Sequence, residues 1–206
     1  MVRKTKEEAQ ETRHRILDAA ERVFHAQGVA RTSLAQIAEA AGVTRGAIYW
    51  HFANKADLFD AMMQRVIGPT EAGCLDPALL EVADPLTAMR GLALDFLMQV
   101  ARDPQHQRVF EIAIHKSEYV GEMADARDRH LDCARRHRVM LEAAMRKAQE
   151  KGLIAPLHRP QAAVEGLIAL IDGLLLNWTL DNGLFPLADY AEPIIDTYLA
   201  GLRHGA

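Results

Sequence analysis

The segment SLAQIAEAAGVTRGAIYWHFANK, residues 33–55, constrains this chain more than any other. Apolar side chains fall at Ile37, Ala38 and Ala41 and, after a glycine, at Val43 and Ile48. That spacing fits two short helices joined by a tight turn, the helix-turn-helix pattern, with Ala38 and Ala41 small enough for a close crossing. Gly42 stands where the turn needs a backbone angle that residues with side chains avoid. The second helix then presents Arg45, Gly46, Tyr49, Trp50 and His51 on its solvent side. Such a surface suits the groove of a DNA duplex.

Capping signals agree with this reading. Ser33 with Gln36 forms a capping box, Thr44 caps the second helix, and Asn54 caps a further helix that starts at NKADLF. Arg45 and Lys55 then fall in first helical turns, where the helix dipole disfavours cations; a neighbouring phosphate reverses that effect. Gly46, inside a helix, costs about 1 kcal/mol relative to alanine, and close approach of a DNA backbone accounts for it. Arg45 is best able to donate two hydrogen bonds to guanine O6 and N7. Lys55 suits a phosphate. Thr32 and Ser33 are further phosphate candidates, although capping alone explains Ser33. The competing reading is an ordinary helical hairpin with Tyr49 and Trp50 in the core and His51 packed or solvated.

Half of the 206 residues are hydrophobic, enough for a substantial core in one or two domains. The net charge of −4 excludes a wholesale polycation. Residues 1–60 hold nine Lys/Arg against eight Asp/Glu, and Arg3, Lys4 and Lys6 form a short basic arm. Cys74 and Cys133 make no disulfide framework, which fits a reducing cytoplasm. The start is charged rather than apolar, so no signal peptide is expected. The most apolar stretch, AAVEGLIALIDGLLLNW, is broken by Glu165 and Asp172 and is expected to be a buried helix rather than a membrane span.

The pattern along the chain predicts helices throughout. Helix 1 runs from about Thr5, capped with Glu8, to Gly28, with Ile16, Leu17, Ala20, Val23 and Phe24 as its apolar stripe. A helix from Asn54 buries Leu58, Phe59 and Met62, and Gly68 and Pro69 are expected to interrupt it. Asp84-Pro85 and Asp103-Pro104 open helices over 85–102 and 104–116. Further helices are expected over 121–151, 161–181 (with Gly183 after it) and 187–203. The fold class is all-α: a three-helix head and a larger helical C-terminal domain.

The run TRGAIYWHFANKADLF, extended upstream through TRHRILDAAERVFHAQGVARTSLAQIA, resembles the signature of the TetR family of bacterial transcriptional repressors. The likeness is greatest to the AcrR/TtgR-type repressors of multidrug efflux pumps, which the start MVRKTKEEAQETR and the run IHKSEYVGEM also resemble. It is specific over residues 1–66, traceable from Phe110 to Leu202, and slight between Val66 and Pro85. It implies a DNA-binding domain over 1–66, with its motif at about 33–52, and a ligand-binding and dimerisation domain over 67–206. It implies DNA contacts at Ser33, Thr44, Arg45, Gly46, Tyr49, Trp50, His51 and Lys55. In the family pattern the aromatic pair and His51 touch backbone phosphates or thymine methyls.

The same resemblance places an effector pocket along Phe110, Ile114, Cys133, His137, Ile168, Ile171, Asp172, Leu175 and Leu176. Phe110 and Ile114 depart from the polar residues of the TtgR type, so specificity is expected to differ. The implied partners are a near-palindromic operator in double-stranded DNA, a hydrophobic or amphipathic small molecule, and a second copy of the chain. That copy pairs through a four-helix bundle in which Leu174, Trp178, Ile194, Ile195, Tyr198 and Leu202 divide between core and interface. No cofactor, no membrane and a cytoplasmic location are implied.

Other constellations are weaker. His130, Cys133 and His137 share a helix face, but a tetrahedral zinc site needs a fourth ligand that the sequence does not supply. Cys133 reads equally as a small buried residue. Asp172 is expected to be a buried carboxylate, either facing the effector or paired with an arginine or backbone donor. No GxSxG, P-loop or HExxH is present, so enzymatic chemistry lacks support. The alternatives are a regulator that answers to a metabolite and a helical ligand-binding protein or enzyme that does not bind DNA.

Overall fold

The computed structural model of the chain describes residues 6–181 and 184–203, apart from the side chains at 70, 71 and 74. The expectations for Arg3 and Lys4, for Thr5 as a cap, for Gly183 and for the Cys74 side chain lie outside the described residues. Among the described residues the regular structure is all-helical. The α-helices are α1 (Lys6–Gln27), α2 (Leu34–Ala41), α3 (Arg45–His51), α4 (Lys55–Cys74), α5 (Pro85–Arg102), α6 (Pro104–His115), α7 (Ala124–Glu150), α8 (Pro160–Leu180) and α9 (Leu187–Arg203). Short 3-10 turns occupy Pro77–Leu80 and Gly121–Met123.

The chain divides into two compact units, one of Met1–Val66 with Arg108–His130 and one of Ile67–Gln107 with Leu131–Ala206. The expected boundary ran at 66/67 alone; the difference is that residues 108–130 join the head. The cause is long-range polar bonding. The Arg108 Nε donates to Glu21 at 2.8 Å, the His25 ring and Glu111 meet at 2.9 Å, and the Val29 N–H donates to the Lys116 carbonyl at 2.9 Å.

The core of the first unit is Ile16, Leu17, Ala20 and Phe24 of α1, Ile37 of α2, Ile48 of α3, and Leu58, Phe59 and Met62 of α4, all buried. In the second unit α5 and α8 both pack on α9. Leu86, Met89 and Leu97 of α5, Trp178 of α8 and Ile195 and Leu199 of α9 are buried there. Arg90 of α5 donates to Asp196 of α9 at 2.5 and 2.9 Å and to Glu192 at 2.6 Å.

Three expectations are corrected. Gly68 and Pro69 do not interrupt α4, which runs on to Cys74 with the proline inside it. One proline removes one N–H donor, and the turns on either side hold the helix together. The helix expected from Gly121 begins with a 3-10 turn, and its α-helical part starts at Ala124. By length and composition alone α8 meets what a membrane crossing needs, despite Glu165 and Asp172. A core helix passes the same test, and Val164, Leu167, Leu175 and Trp178 are buried within the unit.

Candidate nucleic-acid interface

Local bonding fixes each end of the two short helices. The Ser33 Oγ accepts from the Gln36 N–H at 3.3 Å and the Ser33 N–H donates to Gln36 Oε1 at 2.8 Å, so the capping box is complete. At the other end of α2, Gly42 takes φ +64°, in the left-handed region. Its N–H donates to the Glu39 carbonyl and the Val43 N–H to the Ala38 carbonyl, each at 3.0 Å, satisfying carbonyls that the helix end leaves over. The Arg15 guanidinium of α1 donates to the Ala41 carbonyl at 2.7 Å, placing a cation where the α2 dipole favours one. Thr44 caps α3 by accepting from the Ala47 N–H at 3.2 Å. Asn54 caps α4 by accepting from the Asp57 N–H at 2.8 Å, while Asp57 accepts from the Ala53 N–H at 2.9 Å.

This scaffold presents one face of α3. Ile48 is fully buried and anchors the helix, whereas Tyr49 is 49% and Trp50 73% exposed. The aromatic pair is therefore outside the core. The Arg45 guanidinium is exposed and lies 5.9 Å from the centre of the Tyr49 ring. The half-buried His51 ring stands edge-on to Trp50, with centroids 4.5 Å apart. Ser33 and Thr44 are exposed at the two cap positions. A side chain at Gly46 would meet nothing nearer than Thr44 Oγ1 at 4.0 Å, so packing within the chain does not require glycine there.

Two phosphate candidates point inward instead. The Lys55 side chain is only 4% exposed, and its Nζ donates to the Val29 and Thr32 carbonyls at 2.8 Å each. It also lies 2.5 Å from Glu122. The expectation of an exposed Lys55 at a phosphate is thus corrected: loop 28–32 folds over the ammonium and uses it as an internal clamp. Thr32 is 3% exposed, and its hydroxyl donates to the Gly28 carbonyl at 2.7 Å.

Beside α3 the head has a shallow concavity whose rim includes Arg31, Ser33, Arg45, Tyr49, Asn54 and Glu122. It offers two guanidinium groups, a hydroxyl, an amide and the first turns of α2 and α4. These are the donor types that hold a phosphodiester backbone, next to aromatic rings that can lie against sugars or thymine methyls.

The effector candidates fall into two sets. Phe110 (buried) and Ile114 (half-buried) lie on α6 within the first unit. In the second unit, Cys133 and His137 lie one turn apart on α7 and are half-buried. Ile168, Ile171 and Leu175 share one face of α8, with Leu175 buried and the other two half-buried. Asp172 and Leu176 do not join them. They belong to an exposed stripe with Glu165, Ala169 and Leu180, which corrects the expectation of a buried carboxylate at 172. The reason is the helical period: four residues bring Leu176 over Asp172 and Asp172 close to the line of Glu165.

Comparison with known proteins bears on this geometry. Residues 16–62 match the family model for bacterial regulatory proteins of the tetR family, and residues 84–204 match that for the C-terminal region of MAATS-type transcriptional repressors. The chain belongs to the TetR family. It is 42% identical over 207 residues to the HTH-type transcriptional regulator TtgR of Pseudomonas putida, covering 98% of this chain and 97% of that one. Among solved structures it is similar to native NalD, the secondary repressor of the MexAB-OprM multidrug efflux pump in Pseudomonas aeruginosa. There the TM-score is 0.86 at 34% identity, over 96% of this chain and 100% of that one. The SmeT–triclosan complex gives a TM-score of 0.82 at 29% identity, over 95% and 93% of the two chains. SmeT is the repressor of the Stenotrophomonas maltophilia efflux pump SmeDEF. The chain is thus a DNA-binding transcriptional repressor of the TetR family, related to repressors of multidrug efflux pumps, and not an enzyme.

Two rim residues of this TetR-family head, Arg31 and Glu122, escaped sequence reasoning, and Asn54 was read only as a cap. Arg31 has a signal that could have found it, a cation just before the Thr-Ser pair. Glu122 has none, because 67 positions separate it from Lys55 and only the fold brings them together.

Proposed function

We propose that the chain acts as a homodimer that represses a multidrug efflux operon and leaves its operator when a hydrophobic or amphipathic small molecule binds. The observation that carries the reading is the exposure of Tyr49 and Trp50 on a capped helix whose opposite face is anchored by Ile48. Rings of that size in water need a partner, and Arg45 and the capped helix ends beside them favour a polyanionic one. In this reading Ser33, Thr44, Arg45, Gly46, Tyr49, Trp50 and His51 contact DNA, and Lys55 positions the loop beneath them.

Leu176 and Leu180 on α8, Leu184 before α9 and Tyr190 on α9 are exposed large apolar residues, and they support pairing with a second copy. Two linked heads add their binding energies and call for a near-palindromic operator. Within the second unit Cys133, His137, Ile168, Ile171 and Leu175 are assigned to the effector, with Asp172 and Leu176 at its edge or at the dimer face; Phe110 and Ile114 are the effector candidates of the first unit. Triclosan, bound by SmeT, is a fitting probe because it is a small aromatic with little charge. The site of action is the cytoplasm, where genomic DNA lies.

Nuclease footprinting on the DNA flanking the gene tests the reading. The expected result is one protected stretch with near two-fold sequence symmetry. Uniform protection, or none at protein concentrations that saturate unrelated DNA, contradicts it.

A further inference from the structure

Glu122 is the one acidic residue among those lining the concavity of the head. It sits in the turn Gly121–Met123 that leads into α7, its side chain is 63% exposed, and its carboxylate lies 2.5 Å from the Lys55 Nζ. The ammonium also donates to the carbonyls of Val29 and Thr32 at 2.8 Å, so the carboxylate is its acceptor on the rim side and the backbone its acceptors on the buried side. What Glu122 adds is negative charge, on the same rim as Arg31, Ser33, Arg45 and Asn54. Its partner is a buried ammonium, so the pair balances a charge inside the head, while the carboxylate itself stays 63% exposed at the rim. At a surface that receives phosphodiesters it has a large effect, because it takes up positive charge there and repels the incoming backbone.

We propose that Glu122 is a built-in competitor of the DNA backbone: its largely exposed carboxylate, on the rim of the concavity, repels an incoming phosphodiester and thereby lowers the affinity of the head for all DNA. The inference rests on the DNA-binding reading of the head. Its consequence is independent of base sequence, since a carboxylate opposed to a phosphate carries no information about bases. Operator and unrelated duplex are weakened by the same factor. Residence on unrelated DNA is thus shortened while base readout by Arg45 and its neighbours is untouched.

The test is fluorescence anisotropy of a labelled random-sequence duplex with the full-length protein across a salt series, for the parent, Glu122→Gln and Glu122→Asp. For Glu122→Gln the expected gain is about three- to tenfold in affinity at low salt, with a plot of log affinity against log salt steeper by about one, because one more phosphate releases its counterions. Glu122→Asp keeps the charge and is expected to bind like the parent. Thermal melts accompany each variant; should Glu122→Gln melt below the assay temperature, Glu122→Ala is read in its place. Unchanged or weaker binding by the uncharged variant overturns the proposal, as does an equal gain in Glu122→Asp. A parent that binds no duplex in a salt-dependent manner instead overturns the reading of the head on which the proposal rests.

Discussion

Glu21 and Arg108 lie 87 positions apart, and the Arg108 Nε donates to the Glu21 carboxylate at 2.8 Å. The Glu21 side chain is 4% exposed and also accepts from the Arg65 Nη2 at 3.0 Å, so one buried anion joins α1, α4 and α6. Removing one member of such a cluster leaves the others facing a low dielectric without their counter-charge. Glu21→Ala is expected to destabilise the protein by about 2–4 kcal/mol, read as a lowered midpoint in urea unfolding. A change within error shows that solvent takes over the two guanidinium groups.

Lys55 acts in the same way on a smaller scale. Lys55→Met leaves the carbonyls of Val29 and Thr32 unsatisfied and is expected to cost about 2–3 kcal/mol of stability. In a Lys55→Met/Glu122→Gln double variant the net charge at this pair is that of the parent, so the salt dependence of DNA binding by the folded protein should stay near that of the parent. A slope reduced by about one unit identifies Lys55 as a phosphate contact after all.

Acid should loosen the head through Glu111. Burial raises the pKa of this carboxyl, but the Lys116 ammonium and the His25 ring beside it outweigh burial and hold it below its ordinary value of 4.5. A lowered folded-state pKa contributes stability above the unfolded value and loses it as pH falls through the folded one. Glu111→Gln should therefore melt below the parent at about pH 5.5, and the gap should close as pH falls below about 4. A gap that widens in acid gives the shift the opposite sign.

The exposed apolar edge of α8 and α9 yields a prediction about assembly. Leu176 is 50% and Leu180 71% exposed in the single chain. Sedimentation should find a dimer at micromolar protein for the parent and a monomer for Leu176→Glu/Leu180→Glu, with unchanged helicity and weakened operator binding. A monomeric parent that still binds operator tightly rules this interface out.

What could be read from the sequence was whatever depends on neighbours within about one helical turn. The Ser33–Gln36 box, the Thr44 and Asn54 caps and the turn at the left-handed Gly42 each join residues three to five positions apart, and each is present. The all-α class followed from the same local rules. Lys55 was not legible because its carbonyl partners depend on the path of loop 28–32 and its anionic partner on the turn before α7. The grouping of 108–130 with the head was hidden for a similar reason, since it rests on bonds across more than eighty positions. Asp172 failed differently. Apolar residues surround almost every side of α8, so the pattern assigns no phase, and a carboxylate between Ile171 and Gly173 reads as buried when it is exposed.

The reader helix has its own expected outcome. Tyr49→Ala should weaken operator binding by about 1–3 kcal/mol, and Arg45→Ala should also narrow the gap between operator and mismatched sites. Both residues are exposed, so thermal stability should change by no more than about 0.5 kcal/mol. Competition assays against single-base operator variants separate the two roles. Equal affinity of both variants for operator removes α3 from the interface.

The most direct measurement is an anisotropy titration of labelled operator, mapped by the footprint, with and without triclosan at concentrations that calorimetry shows to be saturating. A ligand moves an equilibrium only by its unequal affinity for the two states, so operator affinity should fall about 5- to 150-fold when the effector is bound. By linkage, operator should weaken triclosan binding by the same factor. Specific operator binding whose affinity does not change while the effector site is full, or a protein that holds no operator at moderate salt, contradicts a ligand-released repressor.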